Sequence, residues 1–234
     1  MKKASYLITI VAIIVTTTNT FSQKAEIEKR LAEYGVSADN MFNGFGVDNS
    51  NYTCDAKFTE ITTDETTVSL ASFDPRKPQG SQWTLESING KAPGNMELKN
   101  FNKAHNVMID NPNGETYESS WEIIKDDEHF FVVGLKYTKS SLPHKYKFLA
   151  KCRAEMYIDK EAKRLYKIRF YNEGDLKFKI FKVIKLDMTV VFVQNAENKT
   201  YLIKDEHIVM DAKLLGQVVE IKVINEFFDY KKVK

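Results

Sequence analysis

Two cysteines, five prolines and ten glycines in 234 residues are too few for a disulfide-built scaffold, a proline-rich rod or a glycine-rich linker. Surplus charge of one sign is also missing. The formal net charge is +2, and Lys2 and Lys3 account for it, so the chain from residue 23 onward is balanced. A nucleic-acid binder needs a basic excess to displace counterions from phosphates, which excludes that class. Lys231, Lys232 and Lys234 are too few and too terminal to hold an anionic membrane surface. The one long apolar run, Leu7 to Val15, is about half the roughly 20 residues that a membrane-spanning helix needs. Motifs of catalysis are missing as well. The chain contains no G-x-S-x-G elbow, no phosphate-binding loop and no dinucleotide fingerprint. His105, His129, His144 and His207 stand singly, without HxxxH or HxH spacing for a metal. Asp126-Asp127-Glu128 reads as a solvated hairpin turn. No catalytic residue, metal ligand or cofactor is assigned, and the expectation is a non-enzymatic protein.

The first residues carry a targeting pattern. Lys2 and Lys3 form a short positive segment, Leu7 to Val15 an apolar one, and Thr20-Phe21-Ser22 places small residues where signal peptidase requires them. The expectation is a signal peptide over 1–22, cleaved after Ser22, with no cysteine at the junction to take a lipid. The mature protein would be periplasmic or secreted, and not membrane-spanning after cleavage. Residues 23–234 show no linker or internal repeat and predict a single domain.

Ile27, Leu31 and Tyr34 fall at helical spacing, with Glu26–Arg30 and Lys29–Glu33 as opposite-charge pairs and Gly35 as a stop. From Tyr52 onward the period changes to two, which predicts half-buried strands. The expected strands are Tyr52–Ile61, Thr66–Phe73, Gln82–Ile88, His129–Thr138, Phe148–Ile158, Leu165–Tyr171, Leu176–Leu186, Thr189–Val193, Tyr201–Met210 and the segment of Val219, Ile221, Val223 and Phe227. Short polar links such as Asp159-Lys160-Glu161 and Asn172-Glu173-Gly174-Asp175 force antiparallel neighbours. Parity inverts between Ile180 and Phe181, which predicts a β-bulge or a strand covered on both faces. Asn89 to Trp121 is an insertion with a helix over Met96–Ala104 and a second turn around Asp110-Asn111-Pro112. Cys54 and Cys152 both take apolar parity. They are either bridged, closing a loop of about 100 residues worth up to about 4.7 kcal/mol, or two buried thiols acting as small hydrophobes.

Asp74-Pro75, Trp83-Thr84-Leu85, Asn89-Gly90-Lys91 and Pro93 resemble a group of uncharacterised bacterial envelope proteins related in fold to the lipoprotein carrier proteins LolA and LolB. The motif covers Asp74 to about Lys103, and the strand-rich stretch from Lys145 is similar in pattern. The resemblance implies a mainly β (α+β) fold, a strongly curled antiparallel sheet forming an incomplete β-barrel with helices on its concave side. In the carriers that hollow holds acyl chains. Trp83 and Asn89-Gly90 are equally explained as core and turn. Phe148, Ala150, Ala154, Met156, Phe178 and Ile180 mix bulky, flexible and small side chains at inward parity, as candidates to line such a cavity or to fill an ordinary core. The expected function is a soluble carrier for acyl chains of lipoproteins or lipids. The alternative is a non-catalytic module that binds another envelope protein through a sheet edge.

Overall fold

The structure, a computed structural model, describes residues 23–36, 51–106, 115–142, 144–178, 181–197, 200–214 and 216–233. The expected signal peptide, the turn at Pro112 and the cavity candidate Ile180 lie outside the described residues.

Helix α1 occupies 23–33, and its apolar spacing does what the sequence predicts. Ile27 and Leu31 are wholly buried, Tyr34 packs beside them, and Gly35 ends the helix at φ 70°, a conformation glycine adopts without penalty. Arg30 reaches off the helix instead of along it. It donates to Asp126 at 2.6 Å and lies 4.1 Å from the Phe131 ring centre, tying α1 to the sheet.

Eleven strands form one antiparallel sheet among the described residues. They are β1 (Tyr52–Ile61), β2 (Thr66–Phe73), β3 (Trp83–Ile88), β4 (Glu122–Asp126), β5 (Phe130–Leu135), β6 (Cys152–Asp159), β7 (Arg164–Asn172), β8 (Leu176–Lys177), β9 (Phe181–Gln194), β10 (Tyr201–Leu214) and β11 (Gln217–Lys232). The order is β3-β2-β1-β11-β10-β9-β7-β6-β5-β4, with β8 beside the start of β9. First and last strands are neighbours, and the sheet is open, with β3 and β4 at its edges. Helix α2 (Asn95–His105) joins β3 to β4 in sequence, and at its start Glu97 reaches back to accept from the Gly94 amide at 2.6 Å.

Directly opposed residues share a face, so the register traces one face across the whole sheet. One row runs Val133, Met156, Ile168, Val190, Glu206, Asn225, Phe58, Ser69, Ile88. The next runs Leu135, Ala154, Phe170, Met188, Ile208, Val223, Glu60, Thr67. This is the apolar face. Ile27 and Leu31 of α1 share one buried cluster with Val133, Met156, Ile168, Phe170 and Val190, while Phe101 of α2 packs with Ala71 and Leu85.

Three local expectations are corrected. Phe148 and Ala150 are not in a strand: His144–Lys151 is a 3-10 helix, and β6 begins at Cys152. Tyr146, Leu149 and Cys152 recur every third residue, the spacing at which 3-10 side chains align, and Leu149 is buried although alternation had pointed it outward. The parity inversion between Ile180 and Phe181 marks a chain reversal from β8 to β9. Leu176 faces Val183, and the Phe178 amide donates to the Phe181 carbonyl at 2.9 Å, so a tight hairpin replaces the expected bulge. The edge strand β4 was not foreseen, because all five of its residues are exposed and it has no apolar alternation. Asp126-Asp127-Glu128 is the expected turn, with Asp127 accepting from the His129 and Phe130 amides at 2.9 and 2.7 Å.

Candidate functional site

The rows of the apolar face change character midway across the sheet. On the β5–β9 side Val133, Met156, Ile168 and Val190 are 0, 1, 5 and 6 % exposed. Beyond Val190, the next three members of that row, Glu206, Asn225 and Phe58, are only half-buried. In the following rows Met188, Ile208 and Val223, and then Met210 and Ile221, are half-buried too. At the β2–β3 edge full burial returns with Ala71, Leu85 and Phe101, ringed by Phe58, Trp83 and His105. A band of apolar residues on β9, β10, β11 and β1 thus lies between two covered regions.

Glu206 and Asn225 sit in that band, directly opposite each other. Asn225 donates from Nδ2 to Glu206 Oε2 at 2.9 Å. Its Oδ1 is buried and has no hydrogen-bond partner among the described residues. Burial pushes the Glu206 carboxyl above the usual carboxylate range, and the Asn225 amide opposes this without cancelling it. Tyr146, from the 3-10 helix, lies near enough for burial and then the Glu206 charge to raise its phenol. Tyr230 donates to the Ile203 carbonyl at 2.7 Å, and burial, with smaller contributions from Cys54 and Glu206, raises it as well. A small polar island therefore interrupts an otherwise apolar band. Its signal was present in the sequence: Glu206 shares parity with Ile208 and Met210, and Asn225 with Ile221 and Val223, positions where a polar residue needs an explanation.

The sequence-derived cavity candidates fall elsewhere. Ala154 and Met156 are buried in the cluster that includes Ile27 and Leu31 of α1, and Phe148 and Ala150 pack against it from the 3-10 helix. Phe148 also touches the second cluster, around Cys152, Leu176, Val183, Leu186 and Ala212. Phe178 stands apart on the β8–β9 hairpin, 42 % exposed and stacked on Phe181 at 4.7 Å.

Cys54 and Cys152 are both buried and both free, which corrects the bridged alternative. Both point to the interior as expected, but from β1 and β6, with β11, β10, β9 and β7 between them in the sheet. Cys54 lies beside Tyr230, whereas Cys152 belongs to the second cluster. Burial pushes each thiol up to about 12, which leaves them inert as nucleophiles at neutral pH.

The residues that carry the family resemblance have local structural roles. Asn89 (φ 50°) and Gly90 (φ 73°) make the turn after β3, and Asn89 Oδ1 accepts from the Val68 amide at 2.8 Å. Trp83 packs against Phe58, Phe73 and Phe227. Asp74 is held at about 2 by hydrogen bonds from the Arg76 side chain and amide.

Among the described residues no three His, Cys, Asp or Glu side chains are grouped to hold a metal ion, and no helix is long and apolar enough to cross a membrane. The molecule is a mainly β protein built on one open antiparallel sheet. No protein-family model matches the chain, and no curated protein does. Among solved structures, a DUF1329 family protein from Desulfovibrio piger is similar over 92 % of each chain, with 8 % identity and a TM-score of 0.33, too slight a likeness to bear on fold or function.

Proposed function

We propose that this chain is an exported, non-catalytic carrier that holds the acyl chain of a lipid or lipoprotein on the apolar band between β9 and β1. The observation that carries the reading is the loss of cover along single rows of the sheet. Val133 to Val190 are buried, while Phe58, Ile208, Met210, Ile221 and Val223 keep accessible surface on the same face. An acyl chain laid there gains about 0.8 kcal/mol for each methylene removed from water. Met188 and Met210, unbranched and polarizable, adapt to a mobile chain. The resemblance at Asp74 to Lys103 supports a curled, incomplete barrel with both helices on its concave side. In keeping with that, α1 packs on β5–β6 residues and α2 on β2–β3 residues that the register assigns to one face. The pattern of residues 1–22 supports a periplasmic or secreted location for a single domain over 23–234.

The alternative, recognition of an envelope protein through a sheet edge, draws on β4, an edge strand with Ile123 and Ile124 exposed. Glu122, Lys125 and Asp126 on the same short strand are the charges that natural edges use against pairing, which makes it the weaker reading.

Titration with a fluorescent fatty-acid methyl ester tests the carrier directly. The wild type should bind it saturably, and Ile208→Glu with Val223→Glu should weaken binding at least about tenfold, or 1.4 kcal/mol, while the circular dichroism spectrum stays unchanged. Absence of saturable binding by the wild type defeats the proposal. Enlarging Ala154, in contrast, overpacks a filled core.

A further inference from the structure

Resting on the carrier reading, we infer that Asn225 and Glu206 form a head-group site for a single-chain amphiphile ending in a hydroxyl. Asn225 spends its amide on Glu206 Oε2 at 2.9 Å, and its Oδ1 is buried without a partner among the described residues. Leaving such an acceptor unsatisfied is costly, so the position calls for a donor. The pair stands in one row between Phe58 and Val190, with Ile208 and Val223 in the next row, so whatever supplies the donor lies against apolar side chains.

The chemistry of the two oxygens selects among heads. Asn225 Oδ1 only accepts. Enclosure by protein favours the neutral Glu206 carboxyl, which offers an O–H and an acceptor oxygen. A hydroxyl donates one hydrogen bond and accepts others, so it satisfies Asn225 Oδ1 and takes the Glu206 proton in a hydrogen bond. An ester has no donor for Asn225. A carboxylate has none either and meets a carboxyl side chain. An ammonium has no acceptor and requires Glu206 to be ionised in a place that disfavours the charge. With the head fixed there, the tail runs over Ile208, Met210, Ile221 and Val223, the surface that the carrier reading already invokes.

The test is competition against a bound fluorescent fatty-acid methyl ester by hexadecan-1-ol, methyl palmitate and hexadecylamine, which share a tail and differ in the head. For the wild type, the alcohol should displace the probe at a concentration at least about tenfold lower than either of the others. Asn225→Leu should erase that preference, bringing the alcohol level with methyl palmitate, because it removes the acceptor and keeps the apolar surface. Glu206→Leu gives the same readout should Asn225→Leu fail to fold. Equal affinity for the three chains, or preference for the amine, overturns the head-group site while the carrier reading stands. Retained alcohol preference in folded Asn225→Leu and Glu206→Leu overturns it too. Failure of every chain to bind the wild type removes the carrier reading and this inference with it.

Discussion

The two halves of the apolar face are made from the same residue types and behave differently. On β5, β6 and β7 the face shares one buried cluster with Ile27 and Leu31 of α1, and Phe131, Val133, Leu135, Ile158 and Phe170 are wholly buried. On β10 and β11 an equally apolar set, Ile208, Met210, Ile221 and Val223, is left half-exposed. The opposite face deepens the contrast. Behind the sealed half, Glu155 is only 7 % exposed and accepts from the Tyr157 and Tyr171 hydroxyls at 3.0 and 3.1 Å. Arg169, clamped by Asp187 at 2.6 and 3.0 Å, closes over it. One half is thus packed from both sides for stability, and the other carries surface that stability does not use.

That division sets the scale of each substitution. Phe170→Ala, in the sealed half, should cost about 3–5 kcal/mol in urea unfolding, the range for emptying a buried aromatic site. Val223→Ala, three strands along the same row on the open half, should cost well under half as much, and equal losses would break the comparison. Glu155→Leu comes next, at about 1–3 kcal/mol, since it strands two tyrosine hydroxyls and removes a partner of Arg169.

Glu206 gives a smaller effect with a distinctive pH signature. Its folded-state carboxyl is raised above the unfolded value, so the native state holds the extra proton between those two values. Stability is therefore greatest below that window and falls as pH rises through it. Asn225, Tyr146 and Tyr230 face Glu206, and none of them titrates in that range. Glu206→Gln should remove the fall, leaving thermal midpoints at pH 4 nearly unchanged and raising those at pH 8. A parallel pH profile in wild type and variant would contradict the enclosure of Glu206. The smallest effect belongs to Arg76→Ala, which removes a surface pair with Asp74 and should leave the unfolding midpoint where it is.

Much of the fold was legible because alternation and short polar links are strong signals. Ile27 and Leu31 marked the buried side of α1, and the antiparallel order from β6 to β11 followed from its short turns. Legibility failed where pattern is ambiguous or silent. A few residues such as Phe148 and Ala150 fit alternation and a 3-10 turn equally, and β4 is exposed throughout. The site was harder. Parity assigned Ala154 and Met156 to the right face without saying which part of that face α1 covers, since cover is a tertiary property. Glu206 and Asn225 were visible as polar residues at apolar parity, but only strand register makes them partners.

Photolabelling with a diazirine-bearing alkyl alcohol, mapped by peptide mass spectrometry, tests the division of the face most directly. The open half should take the label, on peptides containing Ile208, Met210, Ile221 and Val223, in a manner that excess hexadecan-1-ol suppresses. Labelling concentrated on β5 and β6 around Val133 and Met156, or spread evenly and indifferent to competitor, would contradict it.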